Sequence, residues 1–173
     1  MTFQEKLVSI GACHPSTEWV GRKSFRKAWD TCPRNDWMTW LLTRVHRLQP
    51  PNLEERRFYG LGMAVMPIVD SQKYKEVRRA VLNWAAGKGP IERPEIGPDF
   101  WSECQEGVLR TKQRDWSIGS FKSYFYDLRS NNGFLSVTRL ITGSLLSPAK
   151  FNKAIHRYFP TAYMQKVVSG ATI

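Results

Sequence analysis

Several features that would quickly narrow the function of this chain are missing from it. Only three cysteines occur in 173 residues, Cys13, Cys32 and Cys104. An odd count without a Cys-x-x-Cys pair argues against a secreted disulfide framework, so reduced thiols are expected. No stretch approaches the roughly eighteen apolar residues that a membrane-crossing helix needs. The opening, Met1 to Lys6, has neither the basic start nor the apolar run of a signal peptide. The expected location is the cytoplasm, and no membrane partner is expected. Alternation of apolar and polar residues with period two never lasts more than a few positions. Asn132-Gly133, a hairpin-type pair, lies between helical patterns, so little or no strand is expected. The Walker loop, HExxH, GxSxG and GxGxxG signatures are all absent. The chain therefore reads as a non-enzymatic protein with no catalytic residues, no cofactor and no bound metal. Acidic residues also stop early, with none after Asp127.

What the chain does contain is apolar, aromatic and basic. Hydrophobic residues make up 42% of it and aromatic residues 13%, with seven Trp, six Tyr and nine Phe. Such a chain can bury a core of its own, and one folded domain over residues 1–173 is the default. Lys and Arg outnumber Asp and Glu by 26 to 15, for a net charge of +11, which makes polyanions the leading class of partner. The excess is concentrated late, where Arg129, Arg139, Lys150, Lys153, Arg157 and Lys166 follow the last acidic residue.

Local signals predict an all-α fold, a compact multi-helix domain of about eight to ten short helices. The first helix covers Phe3 to Ile10 and is ended by Gly11. Pro15 then opens a turn, Ser16 or Thr17 caps a brief helix to Val20, and Ser24 caps another from Phe25 to Thr31. Asn35 or Asp36 caps a clearer helix in which Trp37, Trp40, Leu41, Val45 and Leu48 recur at helical spacing until Pro50-Pro51. Asn52 caps a helix to about Met66, weakened by Gly60 and Gly62. Asp70 or Ser71 opens the strongest amphipathic segment, with Tyr74, Val77, Val81, Trp84 and Ala85 on one stripe, and Gly87 closes it. Residues 87–98 are rich in Gly and Pro. They form a surface loop on the preferred reading, and are otherwise the one candidate for a subdomain break. Further helices are expected from Asp99 to Leu109, from Ser117 to Leu128 and from Phe134 to Ile141. Ser147-Pro148 opens another to Phe159, and Thr161 caps the last, to about Val168.

Each residue group that could carry chemistry has a plainer explanation beside it. Ser147-Pro-Ala-Lys150 spells the SxxK of some acyl enzymes, but a capped helix start with an exposed Lys accounts for the same residues. Asp99, Glu103 and Glu106 suggest a metal-dependent nuclease, which would need strands to hold its carboxylates, whereas Glu103 and Glu106 fit one solvated helix face. Cys13, His14 and Cys32 match no zinc spacing and read as buried thiols. His46 and His156 lie on basic stretches without a carboxylate at helical spacing, and read as surface imidazoles.

The most informative constellation follows Ser147. Lys150, Lys153 and Arg157 fall on one face of a helix whose other face carries Phe151, Ile155 and Phe159. Lys and Arg so placed would meet phosphates, and the backbone donors at the helix start would face the same anions. With the helix before it the segment resembles a helix-turn-helix, although the connection 142–147 is longer than the tight turn of that motif. Arg139, Lys166, Arg78 and Arg79 extend the candidate binding set. Arg22, Lys23, Arg26 and Lys27, then Lys73 and Lys75, and then Arg110, Lys112 and Arg114 form further basic clusters, each also readable as a solvated face. Trp116, Tyr124 and Tyr126 lie near basic residues and could stack on bases.

Gly11-Ala-Cys13 with Trp19, Ala28-Trp29 with Cys32, and Asp36-Trp37-Met-Thr-Trp40-Leu-Leu together resemble the opening of small helical proteins of uncharacterised function from bacteriophages and bacteria, some of them labelled immunity proteins. Asn83-Trp84-Ala-Ala-Gly87, a Trp before Gly at a helix end, is similar too. The resemblance covers about the first half of the chain, carries over no catalytic residue, and implies a phage or mobile-element setting within a host cell. Three functions are then open. One is a basic protein that contacts nucleic acid through its C-terminal helices. The second is an inhibitor directed at a host nucleic-acid-processing complex, plugging its basic or acidic groove, such as an anti-defence or anti-CRISPR-like factor. The third, lowest in order, is a small enzyme such as a nuclease.

Overall fold

A computed structural model of the chain describes residues 1–48, 55–65, 70–97, 99, 100, 102, 103 and 147–170. Among them the fold is all-α, with eight helices and no strand. In chain order these are α1 (Phe3–Ser9), α2 (His14–Val20), α3 (Phe25–Thr31), α4 (Asn35–Leu48), α5 (Glu55–Val65), α6 (Gln72–Ala85), α7 (Pro148–Tyr158) and α8 (Thr161–Gly170). Residues 99, 100, 102 and 103 are also helical. The helices expected over 104–141 lie outside the described residues.

Capping chemistry sets most of the boundaries. Thr2 and Glu5 form a reciprocal box at the start of α1: the Thr2 hydroxyl accepts from the Glu5 N–H at 3.2 Å, and the Glu5 carboxylate accepts from the Thr2 N–H at 2.7 Å. Ser24, Ser71 and Ser147 cap α3, α6 and α7, each hydroxyl accepting the backbone N–H three residues on. Gly87, past the end of α6, has φ of +71°, a conformation that a side chain would strain. The sequence expectation for α2 needs correction. Pro15 does not open a turn before the helix but lies in its first turn, where its missing N–H costs no hydrogen bond. Ser16 and Thr17 are then interior and buried, and their hydroxyls donate to the carbonyls of Cys13 and His14.

The chain divides into two compact units, one of residues 1–51 with 155–173 and one of residues 52–154. The helix α7 belongs to the second unit up to Ala154 and to the first from Ile155 onward. In the first unit α1 packs on α2, and α8 packs on α3. Trp29 is 3% exposed, and its indole N–H donates to the Phe159 carbonyl at 3.1 Å, which joins α3 to the end of α7. Asp30 accepts the Thr161 hydroxyl. Arg44 donates to the Ile10 carbonyl at 2.8 Å. The buried stripe of α4 is Met38, Leu41, Leu42 and Val45, whereas Trp37 and Trp40 are only half-buried. The expected phase, led by the two Trp, was thus rotated, because Trp37 turns to the flank and meets Trp19 of α2.

In the second unit α5 packs on α6. Gly60 and Gly62, which weaken α5 as an isolated helix, are both buried. The Tyr74 ring is fully buried and stacks on Phe100 with centroids 4.6 Å apart. Residues 88–97 form no helix or strand and lie wholly within this unit. The Ile91 carbonyl accepts from the Trp84 indole and the Arg56 guanidinium, at 3.2 and 3.0 Å. Arg93 donates to the Tyr59 hydroxyl. A Gly- and Pro-rich segment that offers no backbone ladder is thereby fixed by side chains.

Candidate nucleic-acid interface

The expected face on α7 is formed. Phe151 and Ile155 are fully buried and Tyr158 nearly so, which gives i, i+4, i+7 spacing and orients the helix. Burying one such side chain contributes about 1.5–3 kcal/mol, so the orientation is strongly held. Lys150, Lys153 and Arg157 are exposed on the polar side. None of the three forms an ion pair with a described residue. Arg157 lies 5.7 Å from the Tyr158 ring centroid, and its place in the last turn also suits the helix dipole. The Ser147 hydroxyl accepts from the Lys150 N–H, so in the SxxK segment it acts as the helix cap.

The remaining predicted residues are not all free cations. Lys166 is exposed on α8, and Arg79 is exposed on α6. Arg78 is half-buried and donates to the Met63 carbonyl at 2.9 Å, so it ties α6 to α5. Lys73 and Lys75 are taken up in ion pairs with Asp99 and Asp70. The hydrogen bonds from these lysines hold both carboxyls below their usual range. Arg139, Arg110, Lys112, Arg114, Trp116, Tyr124, Tyr126, Cys104 and Glu106 lie outside the described residues, as does the His46 side chain.

Two readings of individual residues are corrected. Cys13 is not buried but exposed just before α2, and its thiol donates to the Ser16 hydroxyl. That hydrogen bond lowers its pKa, whereas burial raises that of Cys32. His156 is not a surface imidazole. It is half-buried edge-on against Trp29, with ring centroids 6.0 Å apart, and burial pushes its pKa down while the nearby Asp30 opposes the shift. Neither neighbour is close in sequence, so helical spacing could not reveal them. Among the described residues no three His, Cys, Asp or Glu side chains are grouped to hold a metal ion. No helix among them is long and apolar enough to cross a membrane.

Sequence reasoning missed one arrangement in the first unit. Trp19 and Trp37 are half-buried neighbours, with centroids 6.0 Å apart and planes at 52°. The Lys23 ammonium lies 4.5 Å from the Trp19 centroid and donates to the Trp19 carbonyl. The Arg34 guanidinium lies 4.9 Å from the Trp37 centroid, and two of its nitrogens bond the two oxygens of Asp36. The adjacency of Arg34, Asp36 and Trp37 was the only local signal for it. No family model, curated protein sequence or solved structure matches the chain.

Proposed function

We propose that the protein is a non-enzymatic binding protein that contacts the phosphates of nucleic acid through the polar face of α7. Lys150, Lys153 and Arg157 are the main contacts, with Lys166 and Arg79 as further cations. The observation that carries this reading is the set of three exposed cations on one helix, held outward by a buried apolar face and unpaired by any described carboxylate. A cation with no internal partner can release counterions from a polyanion at no cost in broken ion pairs. The net charge of +11 adds long-range attraction. The resemblance of the opening to small phage proteins supports a mobile-element setting, in which a host nucleic acid is the target.

Binding to nucleic acid should weaken steeply as salt is added. Replacing Lys153→Glu together with Arg157→Glu should reduce the slope of log affinity against log salt by about two and remove most of the affinity. Affinity without a salt slope, or a slope unmoved by the double variant, sinks the proposal. Retention of one stoichiometric host protein after nuclease treatment, with no nucleic-acid affinity, would instead favour the acidic-protein reading.

A further inference from the structure

We propose that Trp19, Trp37 and the Arg34 guanidinium form a stacking platform for the bases of a single-stranded nucleic acid. The inference rests on the nucleic-acid reading above and adds a base-contacting surface distinct from the α7 face.

Among the described residues the tryptophans are either buried, Trp29 and Trp84, or half-buried, Trp19, Trp37 and Trp40. Trp29 and Trp84 are buried, and each spends its indole N–H on a backbone carbonyl, of Phe159 and of Ile91. Trp19 and Trp37 are half-buried, and neither indole N–H bonds a described residue. Trp19 and Trp37 form a ring pair that is not fully buried, so part of its surface stays accessible.

Of its two cations, the Arg34 guanidinium is planar and so can stack as well as carry charge. Asp36 grips Arg34 at two nitrogens and so sets the guanidinium against Trp37 in one orientation. The Arg34 side chain is still 55% exposed, so the guanidinium remains open to water beyond its contacts with Trp37 and Asp36. A planar guanidinium on an aromatic ring continues the stack outward, and a base is the planar, electron-rich partner that fits it. Because Asp36 offsets the Arg34 charge, this residue contributes plane rather than net charge, and the exposed Arg22 and Arg26 supply the attraction for phosphate. A duplex keeps its bases stacked inside and cannot offer them to such a platform, which selects a single strand.

The test compares the full chain with its Arg34→Ala and Arg34→Lys variants, titrated with DNA and RNA single strands and with the duplex of the same sequence. Both variants should weaken single-strand affinity by roughly five- to tenfold and duplex affinity by less than about twofold. Arg34→Lys keeps the charge and loses the plane, so it should behave like Arg34→Ala. If Arg34→Lys matches the unaltered chain, or if both forms of nucleic acid weaken equally, the platform is overturned and only a charge remains. Binding that depends on Lys153 and Arg157 but ignores Arg34 overturns the platform alone. A chain that binds neither single strand nor duplex at low salt overturns the function proposed above together with it.

Discussion

The helices α6 and α7 look alike as sequences and end as different surfaces. Both are amphipathic, both are capped by Ser, and both bury a large aromatic residue completely, Tyr74 in α6 and Phe151 in α7. Both also carry clustered cations on the polar side. In α6 three of those cations are consumed, Lys73 by Asp99, Lys75 by Asp70 and Arg78 by the Met63 carbonyl, while Arg79 stays exposed. In α7 Lys150, Lys153 and Arg157 have no such partner among the described residues. A basic cluster in a sequence therefore says little about binding until the carboxylates that reach it are known.

The comparison holds that the apolar faces are equivalent and the polar faces are not. The largest expected effect tests the first half. Phe151→Ala and Tyr74→Ala should each cost about 3–5 kcal/mol of unfolding free energy in urea titrations, because each leaves a cavity where a fully buried ring stood. A cost below about 1 kcal/mol at either position would break the equivalence.

The next effect tests the second half. Asp70→Asn with Asp99→Asn should free Lys73 and Lys75, and nucleic-acid affinity should then rise, with a salt slope steeper by up to about two. An unchanged slope would mean that pairing is not what separates the two helices.

The smallest effect is a pH dependence that belongs to α7 alone. Burial lowers the pKa of His156 in the folded protein, so the folded state binds fewer protons than the unfolded one as pH falls through the ordinary histidine range. Its contribution to stability is complete above about pH 6.5 and is lost progressively below it. Asp70 and Asp99, held below the usual carboxylate range, stay ionised over that window, so the α6 pairs do not contribute. The melting temperature should fall between pH 7.5 and pH 5.5, and His156→Leu should reduce that fall. An equal fall in the variant would assign it elsewhere.

Much of the local structure was legible because it depends on neighbours in sequence. Ser24, Ser71 and Ser147 cap through a backbone N–H three residues away, and Gly87 supplies the positive φ that follows α6. The α7 face was legible for the same reason, since one buried stripe fixes where its opposite points. The phase of α4 was not, because Trp37 competes for the core with Met38 and yields to it by pairing with Trp19. The Arg34 platform was not either, since its second ring comes from another helix.

By itself the sequence determined the all-α class, the Ser caps of three helices, the basic excess and the cationic face of α7, because caps, helical period and charge are local or additive properties. Only tertiary structure decided which cations are spent and which are left. Asp99 reaches Lys73 across 26 residues, and Trp29 and Asp30 meet His156 and Thr161 from the opposite end of the chain. Such encounters depend on how the helices pack, and no periodicity within one helix carries that information.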